Sequence, residues 1–309
     1  MGTIRSCWAR LGRRNKILII TVVAIALMAV GRFCFPAPLP HVELPAEVII
    51  PFAGAGITNT MLAALVTIIV AGLVCYFATR KMSLVPRGLQ NLVEALLEML
   101  INFINDTAGK EYGRKFFPMV ATIFIFVLFN AWLSLIPGFI TIGFWHHAEG
   151  GHAVIVPFLR GANTDLNFPL ALALVSFFFV EYWGFKANGF ASYVKRFISV
   201  EGMFKGLGQI FRGRVKSGVG TFFNGVISAF AGLVEIISEL VRILSLSFRL
   251  FGNMTAGEIL VLMMVFLIPW VVPTIFYGLE LFLGFVQALI FGGLTLVFLV
   301  IAVSPREAH

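Results

Sequence analysis

Between Val226 and Ile268 the chain is mostly apolar, yet it carries Glu235, Glu239, Arg242, Arg249 and Glu258. A charged side chain at membrane depth costs at least ~2.5 to 3.5 kcal/mol on insertion scales, so such a set within one apolar run marks a functional membrane site. At ~100° per residue, Glu235, Ser238, Arg242, Ser245, Asn253 and Ala256 all fall within about 40° of Arg249 on a helix, with Gly252 slightly further round. That face is polar or small. It suits close approach by another helix, and Arg249 would meet an anion there. An arginine stays protonated, so Arg249 is a fixed positive charge and not itself a proton carrier. Glu258 comes nine residues later, about half a revolution away, and faces a different neighbour. Two polar tasks are separated on one helix.

As one helix, the run from Val226 to Ile268 would be about 64 Å long, against a hydrocarbon core ~30 Å thick. An upright span is excluded. The helix is steeply tilted, or Gly252-Asn253 is a turn between two shorter spans. The polar stripe favours a single helix, because a turn at Gly252 would scatter it. Pro269 and Pro273 close the run, and Thr274 to Val303 returns with Glu280, Gly284 and Gln287 along one face.

These elements sit in a chain that is 59% hydrophobic, with 33 Phe and only 12% charged residues. That composition excludes a soluble domain with a polar surface and predicts an all-α, multi-span membrane protein of about six membrane helices. Lys and Arg number 23 against 15 Asp and Glu, and the loops that hold the excess set the orientation. Cys7, Cys34 and Cys75 show neither metal nor redox spacing. Arg32 and Phe33 before Cys34 do not fit a lipoprotein cleavage site.

Arg5, Arg10, Arg13, Arg14 and Lys16 precede the apolar run from Ile17 to Gly31, the pattern of a signal peptide or a signal anchor. Arg32 and Phe33, where a cleavable signal needs small residues, favour a retained anchor with its basic end inside. With the Pro-rich outer linker from Pro36 to Pro51, it makes residues 1–57 an N-terminal region ahead of a membrane domain over 58–303. Thr58 to Thr79 is a second span, its inner end marked by Arg80, Lys81 and Arg87. Leu89 to Ile104 sets Leu92, Leu96, Met99 and Leu100 against Glu94, Glu98 and Asn102, the pattern of an interfacial amphipathic helix. Phe116 to Ile136 then crosses outward. The outer segment from Phe139 to Asn167 is read as a loop. His146, His147 and His152 lie there without the spacing of a helix-borne zinc motif, so they are assigned no metal. Asn163, Asp165 and Asn167 stand where helix-capping residues would, just before the inward span Phe168 to Trp183, whose Glu181 is expected near the interface. Residues 186–222 form a basic inner loop attracted to anionic lipid, and residues 304–309 a short inner tail. Nothing suggests nucleic acid.

The run Ser245-Leu-Ser-Phe-Arg-Leu-Phe-Gly-Asn-Met-Thr-Ala-Gly-Glu258 resembles the signature of subunit a of the F-type ATP synthase, the membrane stator beside the rotor ring. Gln287-Ala-Leu-Ile-Phe, with Glu280 two turns earlier, resembles that family's last helix. Pro86-Arg-Gly-Leu-Gln-Asn-Leu-Val-Glu94 and Arg114-Lys-Phe-Phe-Pro118 are similar to it as well. The resemblance implies a long inclined helix wrapped against a c-ring of small hydrophobic subunits, each with one mid-membrane carboxylate. It implies Arg249 as the essential rotor-facing charge and two offset half-channels, the outer one by Asn163, Asp165, Glu258, Glu280 and Gln287. The inner one would run by Glu235, Ser238, Glu239, Ser245 and Asn253. It further implies peripheral-stalk subunit b and the whole complex as partners, in a bacterial plasma membrane with both termini cytoplasmic. No cofactor is expected. ATP chemistry would belong to partner subunits, since no phosphate-cradling Gly-rich loop ending in Lys-Ser or Lys-Thr is present. An ion-coupled secondary transporter is the rival reading, weakened by the lack of repeated halves. A membrane hydrolase would need a nucleophile and base, or a metal set, and none is evident.

Overall fold

The computed structural model describes residues 12–34, 45–50, 56–136, 139, 142–147, 153–189, 193, 207, 215–268 and 272–304. Six long helices run through them. Helix α1 spans Arg13–Cys34. The remaining five are α2 (Asn59–Thr79), α3 (Leu89–Ser134), α4 (Asn167–Asn188), α5 (Val215–Leu267) and α6 (Val272–Val303). All five are long and apolar enough to cross a membrane.

Local chemistry sets the ends of these helices. Thr58 caps α2 by accepting the Met61 N–H at 3.3 Å. Helix α3 is two helices joined at Gly109, whose backbone (φ 73°, ψ 161°) is one that residues with a Cβ rarely adopt. The amphipathic half beginning at Leu89 and the crossing half before Ser134 therefore point in different directions, as the sequence pattern requires. Helix α4 stops at Gly189, also at positive φ (78°), whose N–H returns to the Phe185 carbonyl.

The long polar-striped run is one continuous helix. Its 53 residues span about 80 Å, and no turn interrupts it at Gly252. Helices α3 and α6 form the main seam, with α4 and α5 packed alongside. Lipid is as apolar as leucine, so close packing holds such helices together more than hydrophobic burial does. Small residues supply it. Gly284, Ala288 and Gly292 recur every four residues along α6 and are buried. A Cβ added at Gly284 would come within 2.8 Å of the Ala131 Cβ, and one at Gly292 would meet Val120 and Phe124. Around the seam lie Leu100, Phe116, Phe124, Leu128, Leu250, Leu296 and Leu299, all nearly inaccessible.

Buried hydrogen bonds fix the register between helices. Ser176 on α4 and Thr295 on α6 join at 2.9 Å, and Asn130 on α3 donates to Thr67 on α2 at 3.1 Å. Asn188 at the end of α4 reaches the Ala302 carbonyl of α6 at 2.8 Å.

Between α3 and α4 the sequence led to a plain loop, but the chain forms an antiparallel hairpin, β3 (Gly143–His147) with β4 (Ala153–Pro157). The β-branched run Val154-Ile-Val156 opposite Phe144-Trp145 supplies the strand preference. His146 and His147 lie on β3, while His152 falls outside the described residues. A shorter antiparallel pair, β1 (Val48–Ile50) with β2 (Ile57–Thr58), precedes α2. Most of the Pro-rich linker and of the basic loop over 186–222 also lies outside the described residues. Glu181, expected at an interface, is buried at 9% exposure.

Candidate functional site

Helix α5 brings the charged residues to two sides of itself. On one side Ser238, Ser245, Arg249, Gly252 and Ala256 are exposed, flanked by the half-buried Glu235, Arg242 and Asn253. This is the stripe expected from the periodicity. The Arg249 guanidinium makes a single long hydrogen bond, 3.4 Å to Ser245 Oγ one turn away, and no carboxylate pairs with it among the described residues. It is a fixed cation on an open face. On the other side Leu246, Ser247, Leu250, Met254, Thr255, Gly257 and Val261 are buried in the helix bundle.

Glu258 points to that second side. It lines a cavity of about 240 Å³ with Glu280 and Tyr277 of α6, Asn130 and Ser134 of α3, and Asn163 and Thr164. At about 30 Å³ per water, that volume suits several molecules, and the wall offers enough polar groups to hold them. Glu280 is buried at 6% exposure. Its carboxylate sits over Gly257, where an added Cβ would overlap both oxygens. Gly257 is therefore the residue that lets the two acidic positions of α5 and α6 share one cavity.

The cavity wall between α3 and α4 is a short 3-10 turn, Ala162–Thr164, which is tied down on several sides. The Asn163 N–H donates to Asn130 Oδ1 at 3.2 Å, while Thr164 Oγ1 donates to the Gly161 carbonyl at 2.7 Å. Asn163 itself is 1% exposed, and neither its side-chain oxygen nor its nitrogen has a hydrogen-bond partner. A buried amide without partners, beside a cavity, is an expected water or ion contact. Asp165 does other work. It accepts from Thr60 of α2 at 3.1 Å and from the Asn167 N–H and side chain at 3.1 Å each, and it does not line the cavity. The capping expected of it is not what forms: the N-cap of α4 is Leu166, without a side-chain cap bond, and Asp165 instead braces the turn against α2 and the first residue of α4.

Two residues the sequence did not single out matter here. Arg160, just before the 3-10 turn, donates from Nε to both Glu258 oxygens at 3.2 and 3.3 Å, with side-chain exposures of 8% and 12%. Asn130 links the turn, α2 and α3. The signal for Asn130 was a lone amide within the apolar run Phe116 to Ile136, a position where a polar side chain needs a reason. Arg160 gave a weaker signal, a single cation between Phe158-Leu159 and the polar turn before α4.

Towards the start of α5 the remaining charges are arranged differently. Glu239 is buried and accepts from Arg242 at 2.5 Å, three residues on. The Arg242 guanidinium lies 4.0 Å above the ring of Phe298 on α6, a cation–π contact that ties the two helices together. Gln287 is half-buried on α6, two turns beyond Glu280 and away from the cavity wall.

Fold and site together define a multi-pass α-helical membrane protein in which one long helix shows a bare cation on one face and borders an acidic cavity on the other. Residues 60–300 match the family model described as ATP synthase A chain. The chain is similar to the ATP synthase subunit a of Campylobacter curvus, 39% identical over 245 residues, covering 79% of this chain and 89% of the relative. It is 35% identical over 242 residues to that of Campylobacter jejuni, and 32% over 243 to that of Helicobacter pylori, each matching 88% of the relative and 78% and 79% of this chain respectively. The chain belongs to the ATP synthase subunit a family, the proton-translocating part of the Fo membrane sector and not the catalytic part. Its partner is therefore the whole F-type complex.

Proposed function

We propose that this chain lays the exposed face of α5 against a ring of small rotor subunits, so that Arg249 meets each rotor carboxylate as it passes. A permanent cation there favours the ionised carboxylate and repels a proton taking the direct path between the two sides of the membrane. The observation that carries this reading is the bare guanidinium of Arg249 on an exposed, small-residue stripe. A cation left this way in a membrane costs at least ~2.5 to 3.5 kcal/mol, which an anionic partner would offset.

Protons reach and leave the ring by two routes in this reading. The outer one is the cavity of Asn163, Glu258 and Glu280, continued by Gln287, with Asp165 bracing its wall. The inner one follows Glu235, Ser238, Glu239, Ser245 and Asn253. The membrane domain over 58–303 holds both routes. Residues 1–57 anchor it, and the basic loop over 186–222 rests on anionic lipid. The chain sits in a bacterial inner membrane with both termini cytoplasmic, beside the c-ring and peripheral-stalk subunit b. One charge crossing 100 mV supplies about 2.3 kcal/mol, so several protons must pass for each ATP made.

The test is Arg249→Ala in the assembled complex, read by ATP synthesis and by passive proton uptake into vesicles. Synthesis should vanish and passive uptake should rise, with assembly intact. Near-normal synthesis would return α5 to the status of a membrane anchor.

A further inference from the structure

The two carboxyl groups of the cavity are not equivalent, and the difference lies in Arg160. Its Nε contacts both oxygens of Glu258, and both side chains are almost wholly buried. Among the described residues no basic side chain lies within ion-pair distance of Glu280, which shares the same cavity. The charged or titratable groups at this cavity are thus Arg160, Glu258, Glu280 and Tyr277.

Arg160 is also held in place by its backbone surroundings. Gly161 packs against Ser134, where an added Cβ would lie 3.1 Å from the Ser134 Cβ. The following turn is fixed by Asn130 through the Asn163 N–H, and Thr60 grips Asp165. The cation is presented by a braced segment and does not depend on a long side chain finding its own position.

We propose that Arg160 is a positioning residue that holds Glu258 as a charge-compensated wall of the outer cavity and leaves Glu280 as the carboxyl that takes up and releases the transported proton. The inference rests on the outer-cavity reading above. In each cycle a proton from the outer side adds to a Glu280 carboxylate oxygen and then leaves it for a rotor carboxylate. The charges of Arg160 and Glu258 are the same before and after. An arginine cannot yield its proton, so the pair cannot short-circuit the transfer.

The experiment measures ATP-driven and passive proton flux in native membrane vesicles holding the assembled complex, with subunit content checked by immunoblot. The variants are Glu280→Gln, Arg160→Gln, Arg160→Lys and the neutral pair Arg160→Gln with Glu258→Gln. Glu280→Gln and Arg160→Gln should each lower flux about tenfold, the former by removing the carrier and the latter by leaving Glu258 uncompensated. Arg160→Lys keeps the charge and should retain most of the flux. The neutral pair should recover by more than about fivefold over Arg160→Gln alone, the coupling expected of interacting neighbours. Flux is normalised to assembled subunit content, so a change in the folded amount alone does not count as recovery. If Arg160→Gln fails to assemble, the neutral pair decides: flux more than about fivefold above that of Glu280→Gln supports the proposal, and flux as low as that of Glu280→Gln overturns it. Normal flux in Arg160→Gln, with Glu280→Gln impaired, overturns this inference alone. Normal flux in Glu280→Gln overturns the outer-cavity reading and the inference with it.

Discussion

Arg249 stands on the exposed face of α5, and Arg160 approaches the same helix from its other side. Arg249 is exposed, and its guanidinium reaches only a serine of its own helix, at 3.4 Å. Arg160 is buried and closes on a carboxylate across the fold. An arginine that already has its anion is a structural element, because breaking such a buried pair leaves a charge uncompensated. An arginine without one awaits a partner. The contrast separates what the chain completes within itself from what it leaves for another subunit. Arg242 belongs with Arg160, since it is paired with Glu239 and stacked over Phe298.

If that division is right, substitutions on the open face should change transport, and those at paired charges should change stability or cavity geometry. The largest expected effect is at Arg249. Arg249→Lys keeps the charge but loses the planar fork that can hold a carboxylate by two hydrogen bonds. ATP synthesis in vesicles should fall on the order of a hundredfold, the scale for removing a directed charge-stabilising donor. Full activity with lysine would mean that only the charge at this position matters.

Gly257→Leu should come next. Its side chain would occupy the space of the Glu280 carboxylate, which can swing aside because it is the end of a flexible chain. Assembly should survive while proton flux drops roughly tenfold through misplacement of the acid. Gly257→Ala should fall between this variant and the parent. If flux is unchanged in both, Glu280 does not need its present seat.

Arg242→Met should act on stability. Removing one partner of a partly buried pair should cost about 2 kcal/mol, below the full range for deeply buried pairs because Arg242 remains 17% exposed. Adding Glu239→Leu should return most of the loss, as measured by thermal unfolding of the solubilised complex. An equal loss in the single and double variants would show that packing on Phe298, and not the ion pair, is what matters. The smallest effect belongs to the Ser176 and Thr295 contact between α4 and α6. A double-mutant cycle with valine at both positions should give a coupling of roughly 0.6 kcal/mol, typical for a hydrogen bond between membrane helices.

Much of this arrangement was legible in the sequence because helical periodicity is rigid. Residue spacing alone put Ser238, Ser245 and Arg249 on one face and Glu258 on the other, and the stripe argued against a break at Gly252. Spacing likewise put Gly284 on the face of α6 that carries Glu280, and both are buried. Long-range partnerships were not legible. The pairing of Arg160 with Glu258 joins residues 98 positions apart through a turn whose path depends on Asn130, Thr67 and Thr60. The hairpin was missed for a local reason: its strands are only five residues each, and Gly150-Gly151 between them reads as loop. Asp165 differs in a smaller way. Its position suggested capping, but Leu166 is the N-cap of α4, and Asp165 bonds Thr60 of α2 and the Asn167 N–H instead.

The central claim is that the two faces of α5 serve opposite sides of the membrane, and cysteine accessibility tests it most directly. In a chain with Cys7, Cys34 and Cys75 replaced by serine, single cysteines would be introduced as Glu258→Cys, Glu280→Cys and Glu235→Cys. A membrane-impermeant thiol reagent would then be applied to sealed vesicles of each orientation. Glu258→Cys and Glu280→Cys should react from the outer side and Glu235→Cys from the inner side. Reaction of all three from one side would contradict the account.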